Sequence, residues 1–239
     1  MTPAQVRHLA NSIASMLVSH AAHGVSTSSL SGTGEITLRD GLVVSAASVG
    51  SSHKQAWILN REVIPTGWDG AVDLVVCRVS NGTEKIVGGV ELKFWRQATA
   101  SNASNRRRDL FKDFMRAAAL YPLSEHFSFV ALLTTKESWD TTVGTRGADK
   151  DVIDLLKAEA TVSWNIASLS GSPSIKSAAK LLKGKVPVIS SFKSELMCTY
   201  SLSTSDGAIC AARVWAVRKP QNTRELTEAE LEAITRNTK

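Results

Sequence analysis

Apolar residues near the N-terminus recur at three- and four-residue steps. Val6, Leu9 and Ile13 begin a stripe of this kind, which predicts an amphipathic helix over residues 3–23. Gly24 follows the last turn, in the position where a helix commonly ends on glycine. This segment is therefore expected to be one long helix that buries a single face.

The next apolar residues come in short runs rather than in one stripe. The Asp40-Gly41 pair interrupts them, and Asp-Gly pairs are common in the tight turns of β-hairpins. We therefore expect a polar loop over residues 25–34, a hairpin over residues 35–49 and a short helix near residues 51–60.

The most regular pattern lies in the middle of the chain. Residues 72–79 are rich in valine, residues 80–83 read Ser-Asn-Gly-Thr, and residues 86–95 form a second apolar run, which together predict a β-hairpin. A helix is expected over residues 105–121. Residues 127–134 are apolar almost throughout and predict a strand in the middle of a sheet.

The C-terminal part has weaker periodicity. After a polar loop over residues 138–147, we expect helices over residues 150–160, 172–185 and 225–235 and strands over residues 161–167, 186–192, 195–203 and 208–217. Helices and strands are thus interspersed along the chain. This order predicts an α/β fold of the α+β type, with a mixed central sheet flanked by helices.

The composition is that of an ordinary folded protein. Of 239 residues, 43% are hydrophobic and 21% are charged, which excludes a disordered, collagen-like or coiled-coil chain. We expect a single domain over residues 1–239. Residues 1–50 hold its N-terminal helix and hairpin, residues 51–135 its best-patterned core, and residues 136–239 the strands and helix that complete it.

Charge and cysteine content narrow the partners and the compartment. With 28 Lys and Arg against 22 Asp and Glu, the net charge is +6, which permits a polyanionic partner. Cys77, Cys198 and Cys210 form no CxxC pair, as in proteins of a reducing compartment. Neither a long apolar run nor a signal peptide is recognisable, so we expect a cytoplasmic protein with no membrane partner.

One of the predicted strands carries charges that an ordinary core strand would lack. Because side chains alternate along a strand, Glu91, Lys93 and Trp95 share one face of residues 86–95, while their apolar neighbours share the other. Burying a charge is costly unless it is paired or binds a metal. The two charges therefore point to a functional site.

The register of the hairpin decides whether a second carboxylate faces Glu91. If the turn spans the three residues 81–83, Asp73 lies directly opposite Glu91. A two-residue turn places Asp73 on the other face, unless a bulge such as one at Gly88-Gly89 restores the register. Two facing carboxylates repel each other unless a cation lies between them.

A Mg²⁺ ion suits this position, because it prefers hard oxygen ligands and keeps several water molecules. Such an ion binds a phosphate oxygen and acidifies a water molecule, and Mn²⁺ is expected to substitute for it. Lys93 can orient that water or neutralise charge that develops on the phosphoryl group. Asp73, Glu91 and Lys93 thus predict metal-dependent hydrolysis of phosphodiesters.

These residues resemble the PD-(D/E)XK nuclease superfamily, which includes many restriction endonucleases and repair nucleases. The resemblance covers about residues 60–135 and rests on Asp73, on Glu91 and Lys93 two residues apart, and on the helix that follows. Valine precedes Asp73 where the superfamily motif has proline. The resemblance implies a restriction-endonuclease-like fold, a metal held by Asp73, Glu91 and the backbone carbonyl of Leu92, and catalysis by Asp73, Glu91 and Lys93.

The resemblance also implies an activity and a partner. It implies a Mg²⁺-dependent endonuclease that hydrolyses DNA phosphodiester bonds in restriction or genome defence. Many such enzymes cut both strands as dimers, so it implies a homodimer as well. The alternative is a catalytically inactive protein of the same fold that serves as a nucleic-acid-binding or interaction subunit of a larger complex.

Other acidic residues compete for roles in this site. Asp69 is a rival of Asp73 for the first metal ligand, although Asp73 continues directly into the valine-rich strand. Superfamily members often add an acidic residue from an upstream helix, and Glu62 is the nearest candidate, on an expected strand or loop. Alternatively, Glu91 and Lys93 form an ordinary solvated pair on an edge strand, and Asp73 caps a turn.

Basic residues cluster after the motif, on or just before the expected helix. They are Arg96, Arg106, Arg107, Arg108, Lys112 and Arg116. Such a cluster can neutralise DNA phosphates beside the catalytic strand, and we predict that it contacts nucleic acid. The alternative is a solvated helix face with local ion pairs.

Overall fold

The computed structural model of the protein is a mixed α/β fold built on one seven-stranded sheet. It describes residues 2–26, 34–52, 57–80, 82–96, 100–121, 127–144, 147–204, 207–220 and 222–236. The helices are α1 (Pro3–Ser26), α2 (Glu35–Ser52), α3 (Ala103–Leu120), α4 (Lys136–Gly144), α5 (Lys150–Lys157), α6 (Pro173–Leu182) and α7 (Glu228–Thr235). The strands are β1 (Trp57–Val63), β2 (Val72–Ser80), β3 (Thr83–Trp95), β4 (Phe127–Thr135), β5 (Val162–Asn165), β6 (Ser191–Thr204) and β7 (Gly207–Arg218).

The sheet has the strand order β1-β2-β3-β4-β7-β6-β5. β3 and β4 run parallel, and all other neighbouring strands run antiparallel. Parallel neighbours need a crossover connection, which α3 supplies between β3 and β4. The prediction of a mixed sheet flanked by helices is therefore confirmed.

Two hydrophobic cores cover the two faces of the sheet. On one face, Phe114 of α3 packs with Trp164 and Trp215 from the sheet. On the other face, Leu9 of α1 and Leu42 of α2 belong to the second core. β4 is buried along nearly its whole length because both cores contact it, as its uniformly apolar sequence predicts.

Thr2 and Gln5 cap the start of α1 with reciprocal hydrogen bonds. The Thr2 backbone N–H donates to Gln5 Oε1 over 2.7 Å, and the Gln5 N–H donates to Thr2 Oγ1 over 3.3 Å. This reciprocal pair satisfies N–H groups that have no partner within the first turn. α7 begins in the same way, with Thr227 and Glu230 as the reciprocal pair.

The hairpin predicted over residues 35–49 is wrong, because these residues form the helix α2. Leu38 and Leu42 face the core at a helical spacing, and Gly41 faces α1. A Cβ at Gly41 would overlap Met16 and come within 2.9 Å of His20 Nε2. The glycine therefore allows two helices to approach closely and does not make a turn.

Three other predicted elements also differ. The helix predicted near residues 51–60 is wrong, because residues 57–60 belong to β1 and residues 53–56 lie outside the described part. The loop predicted over residues 138–147 is largely the helix α4. In place of a strand over residues 186–192, an isolated bridge joins Ile189 to Glu225 before β6 begins. The remaining C-terminal predictions match α5, α6, α7, β5, β6 and β7 in type.

Of the two alternatives for the β2–β3 hairpin, the structure has the two-residue turn, since Ser80 pairs with Thr83. A register shift near the turn then corrects the pairing: Val76 pairs with Gly88 but Cys77 with Ile86, which leaves Val87 as the extra residue. The bulge therefore lies next to the predicted Gly88-Gly89 position. Beyond it, the register that pairs Leu74 with Val90 carries Asp73 to the position opposite Glu91.

The three cysteines, Cys77, Cys198 and Cys210, are free thiols. Burial raises the pKa of all three thiols, that of Cys198 to about 11, so they stay protonated at neutral pH.

Among the helices of the described ranges, none combines the length and the apolar character that crossing a bilayer requires.

The two glycines after the bulge let β4 and α3 approach β3 closely. A Cβ at Gly88 would overlap the Phe127 ring, and a Cβ at Gly89 would overlap the Leu120 side chain. We expect Gly88→Ala to lower the free energy of unfolding by about 1–3 kcal/mol, because the buried ring has little room to move. Urea denaturation measures this change. Gly144→Ala is the matched control, since no described atom lies within 4 Å of a Cβ added there, and equal stabilities of the two variants would contradict the prediction.

Candidate active site

The candidate site lies where β2 begins beside β3. The paired ladder starts at Leu74, so within the described residues no strand pairs with the following part of β3, residues 91–95, on that side. Side chains satisfy its backbone instead: the Leu92 N–H donates to Asp73 Oδ2 over 2.7 Å, and the Phe94 N–H donates to Glu35 Oε1 over 3.2 Å. We call this gap, bounded by Glu35, Asp73, Leu92 and Phe94, the β3 notch. Two carboxylates therefore stand where a neighbouring strand would otherwise be.

Glu91 lies beside the notch and is only 4% exposed. Arg116 of α3 donates from Nε to Glu91 Oε1 over 2.8 Å, bonds the Ala71 carbonyl, and lies over the Trp68 ring, 5.6 Å from its centroid. Burial raises the pKa of Glu91 to about 8, against the opposing charge of Arg116 and with the help of Asp113 and Asp73. Glu91 is thus a desolvated carboxyl held by one buried guanidinium.

Lys93 lies on the same face of β3, among carboxylates. Its Nζ is 3.3 Å from Asp113 Oδ2 on α3 and 3.9 Å from Glu35 Oε1 on α2. Burial by itself would lower the pKa of Lys93, but Asp113, Glu35 and Asp73 outweigh it and raise that pKa above its usual range. Lys93 is therefore a protonated donor and not a base.

Asp113 is itself buried, at 3% exposure, and contacts Lys112 as well as Lys93. Burial raises its pKa to about 6, while the two lysines oppose the shift and Asp73 adds to it. The carboxylates of α3, β2 and β3 thus act on one another electrostatically across the site.

Arg39 of α2 closes the outer side of the notch. Its Nε lies 2.8 Å from Asp73 Oδ1, its Nη1 lies 2.7 Å from Glu62 Oε1, and its Nη2 lies 3.8 Å from Glu35 Oε2. Glu62, the last residue but one of β1, has a φ of 53°, in the left-handed region that residues other than glycine rarely adopt. Arg39 therefore links the site to a strained position on the edge strand.

The structure brings Asp73, Glu91, Leu92 and Lys93 together, as predicted. Among the residues that the structure describes, Glu62 is linked to the site through Arg39, and it lies on a strand and not on a helix. Asp69 is exposed on the loop before β2, where its backbone N–H donates to the Lys185 carbonyl over 2.7 Å. The geometry therefore favours Asp73 over Asp69.

The alternative of a solvated pair on an edge strand is wrong for Glu91 and Lys93. β3 is an interior strand with β2 on one side and β4 on the other. Glu91 is buried against α3, and the Asp73 carboxylate accepts from the next strand, so it does not cap a turn. These charges are part of a built polar cluster.

The six basic residues predicted to contact DNA do not share one surface. Arg107 and Arg116 are buried: Arg107 donates to Asp149 over 2.8 Å and Arg116 to Glu91 over 2.8 Å. A guanidinium engaged in this way has no free face for a phosphate, so the prediction of one basic surface needs correction for these two residues. The more exposed members are Arg96, Arg106, Arg108 and Lys112.

Sequence reasoning missed three residues of the site: Glu35, Arg39 and Asp113. Glu35 and Arg39 lie four residues apart on α2, a segment that was expected to be a hairpin. The apolar spacing of Leu38 and Leu42 is the signal that could have identified this helix. Asp113 lies among basic residues in the sequence, and a single sequence has no signal that it faces Lys93.

The resemblance implies a Mg²⁺ ion held by Asp73, Glu91 and the Leu92 carbonyl. In the described part of the chain, no three His, Cys, Asp or Glu side chains form a group that could hold a metal, so this set depends on two carboxylates and one carbonyl. Its chemistry fits Mg²⁺, which takes hard oxygens from one or two carboxylates and completes its shell with water. The C=O of a strand residue points the same way as its N–H, so the Leu92 carbonyl faces the notch.

The buried carboxyls predict how stability depends on pH. Asp113 has its pKa raised from 3.8 to about 6 and Glu91 from 4.5 to about 8. Between its unfolded and its folded pKa, each carboxyl keeps in the folded protein a proton that it has released in the unfolded chain. The free energy of unfolding therefore falls as pH rises from about 4 to about 8, by at most about 1.4 kcal/mol per pH unit for each proton. Urea denaturation in EDTA from pH 4 to pH 8 measures the slope.

Asp113→Asn serves as the matched variant for this measurement. It removes one of the two groups, so its stability relative to the wild type should rise between about pH 4 and pH 6. Parallel curves for the two proteins over that interval would contradict the assignment of a raised pKa to Asp113.

Comparison with known proteins identifies no relative of this chain: no family model, no curated protein and no solved structure matches it.

Proposed function

We propose that this protein is a Mg²⁺-dependent endonuclease that hydrolyses DNA, of the PD-(D/E)XK type with a restriction-endonuclease-like fold. One observation carries the proposal: Asp73, Glu91 and Lys93, which lie 18 and two residues apart in sequence, meet at the β3 notch together with the Leu92 backbone. The order of elements also agrees with the resemblance, since the Asp strand, the Glu-x-Lys strand and a helix follow one another.

The residues have distinct tasks in this proposal. Asp73, Glu91 and the Leu92 carbonyl hold the ion, which, when bound, polarises the phosphate and lowers the pKa of a water. Lys93 stays protonated among Asp113, Glu35 and Asp73, so it donates a hydrogen bond and stabilises the negative charge that builds up on the phosphoryl oxygens.

Neighbouring residues prepare this arrangement. Arg116 holds the Glu91 carboxylate in place. Glu35 accepts from the Phe94 N–H, a backbone group of β3 that pairs with no described strand on that side. A site whose groups are already oriented loses little energy to reorganisation during the reaction. These contacts support a catalytic site better than they support a featureless surface.

A second candidate is a catalytically inactive nucleic-acid-binding subunit on the same fold. One observation favours it: Arg39 and Arg116 already neutralise the two carboxylates that would hold the ion. In that case the carboxylates serve only as internal ion-pair partners, and the protein binds DNA equally well with and without Mg²⁺.

Digestion of supercoiled plasmid distinguishes the two candidates. We expect the wild type to cut in Mg²⁺ or Mn²⁺ and to stop in EDTA, and Asp73→Asn to bind DNA but not cut it. A discrete band pattern would indicate sequence-specific cleavage, as in restriction, and linear product without nicked circles would indicate a dimer that cuts both strands. An intact plasmid with every divalent ion would refute the nuclease and leave the binding subunit.

The basic residues of this cluster that are not buried predict a separate effect on binding. Alanine at Arg96, Arg108 or Lys112 is expected to weaken DNA affinity by about 1 kcal/mol each and to lower the slope of affinity against salt concentration by about one unit. Fluorescence anisotropy at several salt concentrations measures both. Unchanged slopes would contradict phosphate contacts at these positions, and Lys193→Ala on β6 is the matched control.

A further inference from the structure

Arg39 joins three carboxylates that come from three different elements of the fold. It contacts Asp73 at the start of β2 over 2.8 Å, Glu62 at the end of β1 over 2.7 Å and Glu35 one turn earlier on α2 over 3.8 Å. The Arg39 side chain is only 19% exposed. Three carboxylates in such a confined space repel one another unless a cation lies among them, and in the structure that cation is Arg39.

Both oxygens of the Asp73 carboxylate are in use. Oδ2 accepts from the Leu92 N–H over 2.7 Å, and Oδ1 faces Arg39 Nε over 2.8 Å. Each oxygen keeps a further lone pair, but a divalent ion on Asp73 lies close to the positive charge of Arg39, so the two cations compete for this carboxylate. The Leu92 N–H is fixed in the strand, whereas the Arg39 guanidinium stands at the end of a long side chain that can rotate about several bonds. Arg39 is the partner that can leave.

Glu62 and the space beside it offer Arg39 a second position. A pocket of about 520 Å³ adjoins the notch, lined by Ile36, Arg39, Leu59, Asn60, Arg61 and Glu62. Glu62 is 63% exposed on its side chain and holds a φ of 53°. Strained backbone persists where the surroundings impose it, and here it directs the Glu62 carboxylate towards Arg39. Arg39 can therefore turn into the pocket and remain paired.

We propose that Arg39 is a displaceable counter-ion. It neutralises Asp73 while no divalent ion is bound, and it yields that carboxylate to the ion and keeps Glu62 as its partner. The proposal rests on the proposed metal site. Arg39 and Glu62 then set the affinity of the site for the metal, which a simple surface ion pair would not do.

Titration calorimetry with Mn²⁺ alone, without DNA, tests the exchange. Arg39→Gln removes the competing charge and is expected to bind Mn²⁺ about tenfold more tightly than the wild type, or more. Glu62→Gln has the opposite expectation, roughly threefold weaker binding, because the displaced Arg39 then lacks a charged partner. Lys193→Gln removes one positive charge from the exposed part of β6, outside this pocket, and should stay within about twofold of the wild type.

Thermal unfolding gives a second readout that does not depend on activity. Without metal, Arg39→Gln should unfold at a lower temperature than the wild type, because three carboxylates lose their cation. Saturating Mn²⁺ should raise its melting temperature by more than it raises that of the wild type. If Arg39→Gln fails to fold, the weaker binding expected of Glu62→Gln carries the test, since that variant keeps the cation.

The outcomes separate this inference from the nuclease proposal. Equal or weaker Mn²⁺ binding by folded Arg39→Gln overturns the counter-ion, as does unchanged binding by Glu62→Gln. Tighter binding by Arg39→Gln together with an uncut plasmid keeps the counter-ion and refutes the nuclease. Absence of Mn²⁺ binding in the wild type and in Arg39→Gln overturns both the counter-ion and the metal site.

Discussion

Lys93→Met is expected to lower the rate of Mg²⁺-dependent plasmid cleavage by about 10²–10³-fold, while DNA affinity stays within about twofold. The reason is the position of the ammonium group. It lies on the face of β3 that bears Glu91, and three carboxylates keep it protonated, so it is a preorganised donor in a partly buried site. Such a donor matters far more to the transition state than to the bound substrate. Single-turnover cleavage assays measure the rate.

The design must separate lost chemistry from lost folding. Lys93→Met leaves Asp113 buried without its closest cation, which costs stability. The double variant Lys93→Met with Asp113→Asn removes both charges and should recover the stability but not the cleavage. Lys193→Met, on the exposed part of β6, controls for the loss of a positive charge. Cleavage by the folded double variant at the wild-type rate would exclude a catalytic role for Lys93.

Asp149→Ala is expected to have the largest effect on stability, a loss of about 3–5 kcal/mol in the free energy of unfolding. Asp149 is 3% exposed and accepts from Arg107 over 2.8 Å, from Ser172 Oγ over 2.5 Å and from Ser174 Oγ over 2.6 Å. Burial by itself would raise its pKa, but these hydrogen bonds lower it. Its removal leaves the Arg107 charge buried without a counter-ion.

This cluster also holds three helices in place. Arg107 belongs to α3 and donates to the Thr142 carbonyl of α4 as well, while Ser172 caps the first turn of α6 by accepting from the Ile175 N–H. α3 supplies Asp113 and Arg116 to the candidate site. A loosened α3 should therefore lower cleavage too, although Asp149 lies outside the notch.

Urea denaturation measures the Asp149 effect. Asp151→Ala, on the exposed first turn of α5, is the matched control and should cost at most about 1 kcal/mol. The double variant Asp149→Ala with Arg107→Met removes the uncompensated charge and should regain part of the loss. A loss below 1 kcal/mol in Asp149→Ala would show that the cluster is not a strong support of the fold.

The difference between local and tertiary information is clear at α2. Its Asp40-Gly41 pair matches a hairpin turn, yet Gly41 lies in a helix against Met16. Glycine favours turns because its own backbone is flexible, which is a local property. Gly41 instead lets α2 approach α1, and the α1 residues that it faces lie more than twenty positions away in the sequence. This error also concealed Glu35 and Arg39, because a hairpin would have placed both residues differently.

The hairpin register is an intermediate case. Alternation along β3 placed Glu91 and Lys93 on one face, and this agrees with the structure because the alternation is a property of any extended chain. The position of Asp73 opposite Glu91 depends on the bulge at Val87, which corrects the register set by the two-residue turn. The sequence allowed for such a bulge but could not locate it, because a bulge is a property of how two strands pair and not of either strand alone.

The sequence by itself thus determined the type of most elements, the central apolar strand β4 and the face of β3 that Glu91 and Lys93 share. These features are local, since they follow from side-chain periodicity and turn chemistry. Only the tertiary structure decided which charges meet: Arg107 and Arg116 turn inward to Asp149 and Glu91, while Glu35, Arg39 and Asp113 join the notch from two helices. Burial makes each unpaired charge costly, so the partners are chosen by packing across the sheet, which spacing along the chain does not encode.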